Sequence, residues 1–166
     1  EDSARYLFFY SFDHLVSIFH QSEANFSSEE AINAILKAIV AENNDEILTL
    51  QVKILSQLLK FYSSQFSNLI PEIINLLDNL ISRPNKQQVI VYILKCYKYL
   101  ALSYKENLLP FSELIACYFI QILDNPQQSK DLFFYFMEEL PYFKFSFPQE
   151  IYNNLISNFR LSFIIS

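Results

Sequence analysis

A chain of 166 residues is long enough to bury a core. With 52% hydrophobic and 17% aromatic residues it cannot be disordered, a state that requires low hydrophobicity and high charge. A net charge of -6 disfavours non-specific nucleic-acid binding, which needs a surplus of Lys and Arg against phosphate. Glycine is absent, which removes Gly-rich phosphate-binding loops and leaves an all-β fold without its positive-φ turn residue.

In chain order, Arg5 to His20 reads as a first helix with Leu7 or Phe8, Leu15, Ile18 and Phe19 as its apolar side. Ser27-Ser28-Glu29-Glu30 forms a capping box ahead of a second helix that runs to about Ala41. Asp45 caps a third, with Ile47, Leu50, Ile54, Leu55, Leu58 and Tyr62 on one stripe. A loop at Ser63 to Ser67 leads to a fourth helix from Pro71 to near Ser82. Lys86 to Tyr104 is the fifth, with Val89, Ile93, Leu94, Tyr97, Leu100 and Ala101 inward. Phe111 to Leu123, Gln128 to Leu140 and Gln149 to about Phe159 complete eight helices, the last opened by Pro148. Tyr142 to Phe147, between two prolines, is an aromatic-rich loop. Without glycine, helix ends fall to polar residues and proline, as at Asn43-Asn44-Asp45, Ser82-Arg83-Pro84-Asn85, Asn107 and Asp124-Asn125-Pro126.

The helices recur with a period of about 40 residues. A shift of 41 lays Ile32, Ile35, Leu36, Ile39 and Val40 onto Ile73, Leu76, Leu77, Leu80 and Ile81. A shift of 39 lays Leu50, Ile54, Leu55 and Leu58 onto Val89, Ile93, Leu94 and Tyr97. Prolines 71, 110 and 148 stand at three helix starts, 39 and 38 residues apart.

From Ser27 to about Phe159 the chain resembles the HEAT and armadillo class of α-solenoids. Leu69-Ile70-Pro71 through Leu80-Ile81 stands as the first helix of a repeat, and Gln88-Val89 through Leu100-Ala101 as the second. HEAT repeats favour Asp in the turn and Arg soon after the Val that opens the second helix. Here the turn is Ser82-Arg83-Pro84-Asn85 and Ile90 follows Val89, so HEAT, armadillo and other helical-hairpin solenoids are not separated. The resemblance implies an all-α, right-handed superhelix of about four stacked hairpins, one α-solenoid domain spanning residues 1–166. The terminal apolar run Leu161-Ser162-Phe163-Ile164-Ile165 fits a piece of a longer repeat protein. The family implies a scaffold, adaptor, transport receptor or regulatory subunit.

Chemistry-bearing residues are sparse. His14 and His20 lie six apart and do not share a helix face, and His20 with Glu23 supplies only two of the three or four ligands a metal needs. No nucleophile has an oriented base, so catalysis, cofactors and metals are not expected. Cys96 and Cys117 sit in helical patterns and read as small buried hydrophobes of a reducing compartment. No run approaches the ~18 apolar residues of a membrane span, and the acidic start is unlike a signal peptide. The expected setting is intracellular, cytoplasmic or nuclear.

The candidate partner site is the side of the second helices opposite the apolar stripe. The repeat shift places Lys53 over Tyr92 and Lys60 over Tyr99, with Lys95 and Lys98 on the same helix as the tyrosines. Lys with Tyr suits an acidic peptide or helix lying in a groove. A nucleic-acid-binding repeat, with Tyr stacking on bases, is the alternative that net charge disfavours. A karyopherin-type receptor is another, and needs many more repeats than this chain holds. The next equivalent helix carries Asp131, Glu138 and Glu139 near these positions, and Phe133-Phe134-Tyr135-Phe136 is too aromatic for a single helix to bury on one side.

Overall fold

The computed structural model describes residues 1–21, 28–81, 83, 87–124 and 130–165. Among them every regular element is helical. The α-helices are α1 (Asp2–Gln21), α2 (Ser28–Ala41), α3 (Asp45–Tyr62), α4 (Ile70–Ile81), α5 (Gln87–Tyr104), α6 (Ser112–Leu123), α7 (Lys130–Glu139) and α8 (Gln149–Ile165). Short 3-10 turns at Ser63–Gln65, Ser67–Leu69, Lys105–Phe111 and Leu140–Phe143 fill several connections. The chain divides into two compact units, Glu1–Tyr99 and Leu100–Ser166.

Helix ends follow local chemistry. The cap of α3 is Asn44, one residue before the expected Asp45, and its carboxamide oxygen accepts from the N–H groups of Glu46 (3.0 Å) and Ile47 (3.3 Å). Pro71 lies in the first turn of α4 and Pro148 directly precedes α8, where no helical N–H is lost. Ser27 of the expected capping box, Ser82, Pro84, Asn85, Asn125 and Pro126 lie outside the described residues. With no glycine to take the left-handed conformation after α5, Lys105 takes it, at φ 44°.

In the first unit α1 packs along α3, α2 pairs with α3, and α2 meets α4. The Cys96 thiol of α5 points to the Val52 carbonyl of α3 at 3.8 Å. Ile32, Ile35 and Ile39 of α2, Ile54, Leu55 and Leu58 of α3, Ile73, Leu77 and Leu80 of α4, and Val89, Ile93, Leu94 and Tyr97 of α5 are all buried. Periodicity of three and four therefore found the core of these four helices. Val40 departs from the pattern and is exposed, although the repeat shift lays it on Ile81.

α1 departs more. The stripe expected inward is outward: Leu7, Phe8, Leu15, Ile18 and Phe19 are exposed, while Asp13 and Val16 are buried against α3. The helix is apolar on two sides, and its polar residues, not its largest apolar ones, find partners on α3.

In the second unit α6 packs on α8. The aromatic-rich segment expected to be a loop supplies core. Phe119 of α6 is fully buried and takes edge contacts from Phe136 (4.7 Å between ring centroids), Phe143 (4.9 Å) and Phe147 (5.9 Å). Phe143 and Phe147 stack on each other at 5.5 Å. Of the four consecutive aromatics in α7, Phe136 is buried, Phe133 and Tyr135 are half-buried and Phe134 is exposed.

Candidate partner-binding face

Lys53 is the first residue of the expected face, and α1 covers it. Its ammonium donates to the Asp13 carboxylate at 2.7 Å, and Gln57 Nε2 donates to the other oxygen of Asp13 at 2.7 Å. Ser17 Oγ donates to Gln57 Oε1 at 3.1 Å, so the polar ladder continues one turn along α1 and α3. The bond to Asp13 raises the affinity of Lys53 for its proton above the usual lysine value, outweighing desolvation, with smaller contributions from Asp13's charge and from Tyr92 and Tyr10. Lys53 therefore ties α3 to α1, its half-buried ammonium already paired with a carboxylate. The repeat shift that groups Lys53 with Tyr92 takes no account of α1, whose Asp13 is buried beside Lys53 while Leu7 and Leu15 are exposed.

The remaining members are placed differently. Lys60 is exposed, its ammonium 5.0 Å from the centroid of the Phe61 ring. On α5, Lys95 lies 5.1 Å from the Tyr92 ring, one turn earlier, and Lys98 lies 5.8 Å from the ring of adjacent Tyr99. All four residues of the α5 group are half-buried. A cation over an aromatic face gains roughly 0.5–1 kcal/mol at such sites, enough to bias the lysine's rotamer without neutralising it. A carboxylate approaching from solvent would meet an ammonium held beside a phenol ring, an arrangement suited to acidic side chains on an extended or helical segment.

A second polar cluster escaped sequence reasoning. Glu42, in the turn between α2 and α3, is buried. Its carboxylate accepts from the backbone N–H of Asn43 (3.0 Å) and Asn44 (2.9 Å), from Gln51 Nε2 (3.2 Å), and from Arg5 Nη2 of α1. Arg5 also bonds Asp2 at 2.9 Å, and Arg83 Nη1 donates to the Glu42 carbonyl at 3.2 Å. Burial pushes the Glu42 pKa up, but the Asn44 N–H, Arg5 and the Asn43 N–H together hold it below the usual carboxylate value. This is a structural junction of α1, α2, α3 and the turn after α4. The Asn43-Asn44-Asp45 run marks the helix end, yet nothing in the sequence singles out Glu42.

Among the described residues no group of three His, Cys, Asp or Glu side chains converges as metal ligands, and no helix is long and apolar enough to cross a membrane. The His14 ring meets Tyr10 edge-on at 4.7 Å, whereas the His20 side chain and Glu23 lie outside the described residues. Cys96 is buried, and burial drives its thiol pKa far up. Cys117 is exposed, contrary to its expected role in the core. In α7, Asp131 and Glu138 are exposed but Glu139 is buried, so the three acids do not share one open face.

No family model, curated protein or solved structure matches this chain.

Proposed function

We propose that the chain is a stacked-hairpin α-solenoid of the HEAT-like kind, acting as a non-catalytic protein-binding scaffold or adaptor in a larger intracellular assembly. The observation that carries this reading is the separation of the residues that bridge helices in the first unit. Asp13 with Lys53 and Ser17 with Gln57 are 40 apart, Arg83 with Glu42 is 41 apart, and Cys96 with Val52 is 44 apart. Those separations match the sequence period of about 40, as they must when each hairpin stacks on the next. Tyr10 of α1 and Tyr92 of α5 each lie within electrostatic reach of Lys53 of α3.

The partner class this reading favours is an acidic peptide or amphipathic helix, engaged by Lys60, Tyr92, Lys95, Lys98 and Tyr99. The test is fluorescence anisotropy with a labelled helical peptide rich in Glu and Leu, using the parent chain and a Lys60→Glu/Lys95→Glu/Lys98→Glu variant. The parent binds the peptide. The variant loses binding by at least about tenfold, the effect of reversing three charges at a rim, while its melt stays close to the parent's. Equal affinity of parent and variant would show that the lysines are only solvated. A labelled single-stranded oligonucleotide that competes with a steep salt dependence would move the reading to nucleic acid.

A further inference from the structure

α1 has two apolar sides and the fold covers one. The covered side holds Val16 and the polar ladder from Asp13 and Ser17 to α3. On the opposite side Leu7 is 61% exposed, Phe8 64%, Leu15 44% and Ile18 57%, with exposed Ala4, Ser11 and His14 between them at helical spacing. We propose that this stripe is the interface between two copies of the chain, paired antiparallel about a two-fold axis at Ser11.

Area and symmetry support that occupant. A large apolar residue offers about 200 Å² when fully exposed, so Leu7, Phe8, Leu15 and Ile18 present about 450 Å², and exposed Ala4, Ser11 and His14 extend the stripe toward the roughly 600 Å² that each partner contributes at the lower end of stable interfaces. The largest apolar patch on a folded monomer is typically about 300–600 Å² and is often functional. Reversing the helix about Ser11 exchanges Leu7 with Leu15, Ala4 with Ile18, and Phe8 with His14. Leucine then meets leucine, the smallest residue meets a branched one, and two flat rings face each other. Ser11 on the axis is small enough to let the helices approach closely. Such self-complementarity is what an isologous interface requires.

Charge points the same way. Each copy carries a net charge of -6, so a charged contact between copies would repel, but the stripe contains no Asp, Glu, Lys or Arg. Asp2, Arg5 and Asp13 lie off it, each bonded within its own chain. A membrane surface is a poorer fit, because interfacial helices carry Lys and Arg along the polar flank, and here the flank holds Arg5 engaged with Asp2 and Glu42.

Sedimentation equilibrium on the whole chain tests the proposal. The expected result is a monomer–dimer equilibrium that Leu15→Glu shifts toward monomer by roughly a hundredfold, since each dimer would bury two unpaired carboxylates. The circular dichroism of that variant should match the parent's, because Leu15 lies on the exposed side of α1. A Ser11→Cys variant, made with Cys117→Ser to remove the exposed thiol, should oxidise to a disulfide-linked dimer, because only residues near the axis meet their own copies. A parent chain that stays monomeric across the accessible concentration range overturns the proposal. So does a dimer that survives Leu15→Glu, or one that fails to cross-link through Ser11→Cys. Association with neutral phospholipid vesicles by a monomeric chain would assign the stripe to lipid instead.

Discussion

At the scale of single residues, the informative groups are buried and charged. Glu42 is bonded by two backbone N–H groups, Gln51 and Arg5, and removing its charge would leave those donors poorly matched. Hydrogen bonds to a charged group contribute about 1.5–3 kcal/mol, so Glu42→Gln should cost about 1–3 kcal/mol in urea melts at neutral pH. Its pKa is lower in the folded chain than the 4.5 of a free side chain, so the unfolded state takes up the proton first as pH falls. The stability from Glu42 is fully present above that unfolded value and is lost as pH drops through the folded one. The difference in stability between parent and Glu42→Gln should therefore shrink on acidification below about pH 5. A constant difference across that window would mean that the carboxylate is not held in its charged form. Lys53 works in the opposite sense. Its raised pKa means that its pairing with Asp13 stabilises the fold up to the ordinary lysine pKa and fades only as pH rises past it.

At the scale of elements, the fate of each helix depends on what its neighbours offer. α4 and α5 each have one apolar stripe, and both stripes are buried. α1 has two, and α3 presents Lys53 and Gln57, so α1 docks through Asp13 and Ser17 and leaves its leucines outside. The second unit is organised differently, around one ring. Phe119 touches Phe136 of α7 and Phe143 and Phe147 of the segment before α8, so one side chain joins three stretches of chain. Phe119→Ala should destabilise by about 3–5 kcal/mol, the cost of a cavity at a fully buried phenylalanine. Phe134→Ala, fifteen residues on and 52% exposed, should stay within about 0.5 kcal/mol. Similar losses for the two would show that the aromatic run is buried evenly, and that the cluster about Phe119 is not its centre.

At the scale of the whole molecule, far-ultraviolet circular dichroism should give a helical spectrum with no strand component, and a substantial strand signal would contradict the all-helical architecture. That architecture was legible in the sequence because helix formation is written locally. Apolar spacing of three and four, prolines at helix starts and polar connections without glycine are each read within a dozen residues. Leu77, Leu94 and Tyr97 were placed inside by spacing alone and are inside. Other features were decided only by tertiary structure. Lys53 looked like its neighbours Lys60 and Lys95 until α1 brought Asp13 to it, and Glu42 looked like any acidic residue in a turn until Arg5 and Gln51 arrived. Cys117 matched Cys96 in its helical setting and differs in burial, and Phe143 and Phe147 gave no periodic signal because they lie in turns. The reason is common to all of them. A sequence fixes which faces of a helix are apolar, but a side chain with partners 40 residues away is assigned to core, junction or open surface only when the helices pack.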